Sequence, residues 1–181
     1  MTGVLIPVVG PSGAGKDTLI DAARAARPDI YFPTRVITRP FDAGGEVFHG
    51  VDPSVFATMA DSGHFAFHWQ AHGLHYGIPA EIIRVLEAGR SVMFNGSRGI
   101  IDLARQRFEK VHVMVVTAPE DILAKRLAAR NREQAGEIRK RLKRAAYSIP
   151  SGDDVRIIQN DGPLEKSRSA FLAALPVNYD V

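Results

Sequence analysis

Gly10-Pro11-Ser12-Gly13-Ala14-Gly15-Lys16-Asp17-Thr18 is the stretch on which the fold turns. It carries the G-x-x-x-x-G-K spacing between an apolar run, Val4-Leu5-Ile6-Pro7-Val8-Val9, and a segment of helix formers ending at Ala26. Leu19, Ile20, Ala23 and Ala26 recur on one face of that segment, and Pro28 stops it. Strand, glycine loop and helix in this order have a physical use. The glycines let successive backbone NH groups turn inward onto phosphate oxygens, and a helix starting at Lys16 adds the positive end of its dipole. The Lys16 ammonium then reaches the terminal phosphates, so Gly10, Pro11, Ser12, Gly13, Ala14, Gly15, Lys16, Asp17 and Thr18 are all candidate nucleotide contacts. Position 17 departs from the pattern, because Asp stands where Ser or Thr would place a hydroxyl on magnesium. A carboxylate is a hard donor suited to that ion, directly or through water, while an acid at a helix start is also favoured by the dipole alone.

Working outward, strands and helices alternate along the chain. Ser91-Val92-Met93-Phe94, Val111 to Val116 and Val155 to Ile158 read as further buried strands, and helices are predicted from Pro53, Pro79, Ile100, Pro119, Glu137 and Pro163. Parallel neighbours need crossovers, and the crossovers here are helices, so the fold class is α/β with a mostly parallel central sheet flanked by helices. No linker or repeat interrupts the pattern, which predicts one domain over 1–181. Two excursions stand out, 31–78 and 130–140. In the first, residues 31–50 are rich in Arg, Gly, Pro and Thr without a sustained period and read as extended pieces and loops facing a substrate, and Phe65 to Trp69 reads as extended; in the second, residues 130–136 break the apolar pattern before a basic helix.

The composition narrows the function. With 181 residues, 45% apolar and 24% charged, the chain can bury a substantial core. Its longest apolar runs fall well short of the roughly 20 residues a membrane helix needs, and no basic segment precedes the first, so the expectation is a soluble, cytoplasmic protein. The absence of cysteine excludes disulfides, a thiol nucleophile and thiolate metal sites. Net charge is only +3, but 17 of the 23 basic residues are Arg, the side chain suited to two-point phosphate contacts, unless genomic base composition accounts for the skew. The arginines are scattered rather than clustered with aromatics, which argues against nucleic acid.

Further motifs add to the phosphate loop: Arg35-Val36-Ile37-Thr38-Arg39-Pro40, the run from His68 to Gly77, Asn95-Gly96-Ser97-Arg98, the arginine-rich run from Arg126 to Leu142, and Asn160-Asp161-Gly162. In this order and spacing, over nearly the whole chain, they resemble the guanylate-kinase-like nucleotide kinases of P-loop fold. Within them they resemble the ribose 1,5-bisphosphate phosphokinases of phosphonate utilisation. The resemblance implies an acceptor-binding insertion at 31–78, an arginine-rich lid at 130–140, ATP as phosphoryl donor, and Mg²⁺. It implies a phosphorylated sugar as substrate, with 5-phosphoribosyl 1-diphosphate and ADP as products. Lys16 would act in catalysis with the lid residues Arg130 and Arg141, and Asp17 would hold the metal.

The departures from guanylate kinases bear on the acceptor. Those enzymes read guanine with acidic side chains in the segments matching Phe67-His68 and Asn95-Gly96-Ser97, and neither segment has an acid here. Base NH groups left without acceptors cost recognition steeply. Arg35, Arg39, His68, His72, His75, Tyr76, Asn95, Ser97 and Arg98 remain as candidate acceptor contacts, mostly cationic or hydroxyl-bearing as a bisphosphorylated sugar requires. Duller readings stand beside them: Arg35 and Arg39 as a solvated pair, the histidines as packing or surface residues, Trp69 as core. Gly73 and Gly77 undermine a helical zinc spacing for the histidines. Guanylate kinase activity, and a catalytically silent binding module of the same fold, are the alternatives.

Overall fold

A computed structural model describes residues 2–40, 47–129 and 149–177. The apolar run before the glycine loop forms strand β1, Leu5–Val9, with all five residues buried. A strand reads as continuously apolar when helices cover both faces of its sheet. Val92–Asn95 (β6) and Val113–Thr117 (β7) flank it, and Val155–Gln159 (β8) completes a four-stranded sheet of order β6-β1-β7-β8, parallel throughout. Helix α1, Lys16–Ala26, begins at the residue its sequence predicts. It buries Leu19, Ile20 and Ala23 in a core shared with Ile6, Val8, Met93 and Met114 and with Phe171 of the last helix, Leu164–Ala173.

The first excursion carries a second sheet. Arg35–Ile37 (β2), Phe48–Gly50 (β3), Phe65–Ala71 (β4) and Leu74–Pro79 (β5) lie in the order β3-β2-β5-β4, with β2 and β3 parallel and the other two pairings antiparallel. β4 and β5 form a hairpin whose turn residues, His72 and Gly73, have φ of 54° and 74°. Two-residue hairpin turns use positive φ because it matches the twist of the strands they join. β2 and β3 lie in the segment expected as extended pieces and loops, and β4 contains the Phe65 to Trp69 stretch expected as extended; the pairing of these pieces into a sheet leaves no period-2 pattern, because one face borders a cavity and polar residues fall on both faces.

Helix α2, Pro53–Asp61, lies on the outer side of the hairpin, and α3, Ile82–Glu87, leads back to the parallel sheet. Phe67 of β4 and Phe94 of β6 are buried with ring centroids 6.0 Å apart and join the two sheets through one apolar cluster with Ile78, Ile82 and Ile100. Truncating Phe67 to Ala would cost about 3–5 kcal/mol and loosen that joint. After β6 a single 3₁₀ turn, Arg98–Ile100, runs into α4, Ile101–Arg107, and α5, Glu120–Ala129, follows β7. The predicted lid, with Arg130 and Arg141, lies outside the described residues. Among the described residues no helix is long and apolar enough to cross a membrane.

Candidate active site

The phosphate loop leaves the C-terminal end of β1, where open parallel sheets bind ligands. Gly10 has φ of 146°, and a Cβ there would overlap the Val116 carbonyl; Gly15, at φ 90°, would drive one into Asn160. Only glycine satisfies both backbone and space at these points. Asn160 is buried just beyond β8, and its Nδ2 donates to the Ala14 carbonyl at 2.7 Å while its backbone NH donates to Thr117 O, also at 2.7 Å. That clamp holds the back of the loop rigid. Lys16 Nζ donates to the carbonyls of Gly10 and Pro11 at 2.9 and 3.0 Å, which keeps the ammonium over the loop.

A cavity of about 320 Å³ opens between this loop, the β4–β5 hairpin and the turn after β6. Gly10, Pro11, Ser12, Gly13, Gly15, Lys16 and Asp17, the residues predicted to meet the phosphoryl donor, form one side of it. Across from them stand Arg35, His72, Tyr76, Asn95, Ser97 and Arg98, so six predicted acceptor contacts converge. Arg35 is buried at 7% exposure; its Nη1 donates to Asn95 O at 2.8 Å and its guanidinium lies 5.4 Å from the centre of the Tyr76 ring. Trp69 stacks on Tyr76 with centroids 5.5 Å apart and planes 6° apart. It lines the cavity with Ala71 and Gly96, none of which the sequence singled out as a contact. The signal for Trp69 is its register: it pairs directly with Tyr76 across the hairpin.

Other predicted contacts lie elsewhere. Opposed residues share a face and successive residues alternate, so Tyr76 and Trp69 point into the cavity while His75, His68 and Gly77 occupy the opposite face. There His75 and His68 pack against Phe56 of α2, with ring centroids at 5.4 and 6.5 Å. The Arg39 guanidinium sits 4.2 Å from the centre of the Phe48 ring, outside the cavity lining. Of the predicted donor contacts, Ala14 buries its methyl in the core and contributes shape, and Thr18 is exposed on α1 away from the cavity. Ser97 also has a local duty, its Oγ accepting from Gly99 NH at 3.3 Å at the start of the 3₁₀ turn. Of the arginines in the run from Arg126 to Leu142, Arg126 is described, and its Nη1 is shielded with no hydrogen-bond partner among the described residues.

The described residues contain no group of three or more His, Asp or Glu able to hold a metal by themselves. Asp17 is the one carboxylate among the described lining residues, and its Oδ1 accepts from Asn95 Nδ2 at 2.7 Å. One hard oxygen donor beside a phosphate-binding loop fits magnesium, which keeps most of its shell for phosphate oxygens and water.

Comparison with known proteins agrees with this geometry. Residues 3–172 match the sequence profile of the family described as Guanylate kinase. The chain is 44% identical over 174 residues to the ribose 1,5-bisphosphate phosphokinase PhnN of Agrobacterium fabrum, covering 94% of this chain and 95% of that protein. It is 45% identical over 175 residues to the bifunctional ribose 1,5-bisphosphokinase-thymidine phosphorylase of Cupriavidus necator. That match covers 96% of this chain but only 29% of the longer protein. In three dimensions it is similar to the guanylate kinase of Anaplasma phagocytophilum, with a TM-score of 0.66 at 20% identity, covering 96% of this chain and 85% of that one.

Proposed function

The chain belongs to the guanylate kinase family, and on that premise we propose that it transfers the γ-phosphoryl group of ATP to ribose 1,5-bisphosphate, giving 5-phosphoribosyl 1-diphosphate and ADP. One observation carries the choice of acceptor: the wall facing the phosphate loop presents Arg35, Arg98, His72, Tyr76 and Ser97, and no described carboxylate other than Asp17 is there to pair with guanine NH groups. Charge-assisted hydrogen bonds from such a wall suit phosphate oxygens.

The attacking atom is an oxygen of the 1-phosphate. It forms a bond to the γ-phosphorus while the bond from that phosphorus to the β,γ-bridging oxygen breaks, and ADP leaves with the electron pair. This oxygen is already ionised at neutral pH, so no general base is required; alignment and charge neutralisation supply the catalysis. The loop NH groups and Lys16 hold the donor phosphates, Arg35 and Arg98 the acceptor. Arg130 and Arg141 of the lid, assigned by resemblance, would close over the equatorial oxygens as charge spreads onto them, and a closed lid excludes water. When bound with the nucleotide, Mg²⁺ neutralises phosphate charge; Asp17 is the residue that would hold it. We assign the whole of 1–181 to one catalytic domain working in the cytoplasm.

A coupled ADP-release assay with ribose 1,5-bisphosphate and GMP under identical conditions tests the reading. The bisphosphate is expected to be phosphorylated far more efficiently, whereas GMP as the better acceptor would restore the guanylate kinase alternative. Failure of every acceptor to stimulate magnesium-dependent ATP turnover would favour a binding module.

A further inference from the structure

Asn95 ends β6, the strand hydrogen-bonded to β1, in register with Val8. Its side chain therefore leaves the sheet edge beside the phosphate loop, and its Nδ2 meets the first-turn carboxylate of α1, Asp17 Oδ1, at 2.7 Å. P-loop phosphotransferases in general divide the work at these two places differently: the loop residue after the lysine offers a Ser or Thr hydroxyl, and a strand end offers the Asp that serves the metal. Here the acid stands after the lysine and the neutral group at the strand end. The pair keeps one negative charge but carries it on the other partner.

Electrostatics explains why one acid and one amide suit these two positions together. Two carboxylates at hydrogen-bonding distance repel and push one of them to take up a proton, which removes it as a metal ligand. Two neutral groups leave the metal without a protein charge. Asn is a side chain of the right length that donates NH to a carboxylate, so it can fix the Asp17 rotamer while leaving the second oxygen for another partner. Its backbone carbonyl is also the acceptor for Arg35 Nη1 at 2.8 Å, so one residue ties the metal carboxylate to the acceptor cation.

We propose that Asp17 and Asn95 are an exchanged metal pair: Asp17 bears the charge for the magnesium of the bound nucleotide, and Asn95 is its positioning residue rather than a substrate contact. The proposal rests on the phosphate-loop part of the reading above, not on the identity of the acceptor.

The test compares wild type, Asp17→Ser, Asn95→Asp and the double variant Asp17→Ser/Asn95→Asp. ATP affinity is measured calorimetrically without acceptor as Mg²⁺ is raised from an EDTA baseline, with far-UV dichroism as the check on folding. Each single substitution should raise the half-saturating Mg²⁺ concentration at least about tenfold, and the double variant should return it to within about threefold of wild type, because the usual arrangement is then restored. A double variant no better than the worse single, or an Asn95→Asp titration that coincides with wild type, would overturn the proposal. If Asn95→Asp does not fold, Asn95→Ala takes its place: it keeps the charge on Asp17 but frees its rotamer and should shift the Mg²⁺ midpoint about three- to tenfold, and an unshifted midpoint overturns the role given to Asn95. Because no acceptor is present, a wrong acceptor assignment leaves these titrations unchanged and shows itself only in the acceptor panel.

Discussion

The phosphate loop and the wall proposed to hold the acceptor face each other across one cavity and are built by opposite means. The loop is contiguous, what it offers a ligand is main-chain NH groups, and its shape depends on glycines whose missing Cβ leaves room for Val116 and Asn160. The wall takes side chains from β2, from the β4–β5 hairpin and from the turn after β6, and which of them enter the cavity is decided by strand register. A site made of backbone is therefore sensitive to added atoms, whereas a site made of side chains is sensitive to which face of the sheet a residue occupies.

This contrast can be broken experimentally, beginning where the effect should be largest. Lys16→Ala is expected to lower kcat by at least about a hundredfold with native far-UV dichroism, since the ammonium neutralises phosphate charge and supports no core. Activity above about a tenth of wild type would dissolve the loop's assigned role.

On the wall, Arg35→Ala should reduce kcat/KM for ribose 1,5-bisphosphate by at least about tenfold and leave the KM for ATP nearly unchanged, while His75→Ala and His68→Ala stay within about twofold of wild type. Arg39→Ala, with its guanidinium over Phe48 rather than in the cavity lining, should cost less than Arg35→Ala. A His68 variant as damaged as the Arg35 variant would show that the two-face division is wrong.

A smaller effect is expected at the hairpin. Gly73 has φ of 74° and open space around its missing Cβ, so Gly73→Ala meets no clash but strains the backbone. That strain is worth about 1 kcal/mol, which thermal melting should register as a loss of roughly 2–4 °C.

The smallest effect separates the chemistry from the scaffold by pH. Burial holds the His112 imidazole below its usual value, with Nε2 2.8 Å from Ala174 O. The bidentate pair with Arg105 holds the Asp154 carboxyl below its own usual value. For each group the folded state binds its proton less readily than the unfolded chain, so stability is full above the unfolded value and declines as pH falls through the shifted one. His112 should contribute first, from the usual imidazole range downward, and Asp154 only below the usual carboxylate range. Arg105→Ala should flatten the more acidic step by roughly 1 kcal/mol or less, as a largely surface pair allows, in urea melts run from pH 7 to pH 3.

How much of this was legible in the sequence varies with the distance between partners. Lys16–Ala26 begins and ends as its helix signals predict, and Pro53 opens α2 as a first-turn proline should, with Asp52 at the N-cap position in extended backbone but without a side-chain capping hydrogen bond. Those signals lie within one turn of the residues they govern. For the second sheet the sequence offers extended pieces, Phe65 to Trp69 among them, but not their pairing, because its inner face meets a cavity instead of a core; the β4–β5 pairing turns on the positive φ of His72 and Gly73.

What the sequence by itself determined is the phosphate loop, the parallel sheet that carries it and the kind of chemistry it serves, because each follows from the spacing and conformational freedom of neighbouring residues. Only the tertiary structure decided that Arg35, Tyr76 and Trp69 share one face while His68 and His75 are turned away, and that Asn95 meets both Asp17 and Arg35. Those contacts join residues 78 and 60 positions apart. Their geometry comes from a hairpin register and from the order in which strands add to a sheet, and no local preference of either partner encodes it.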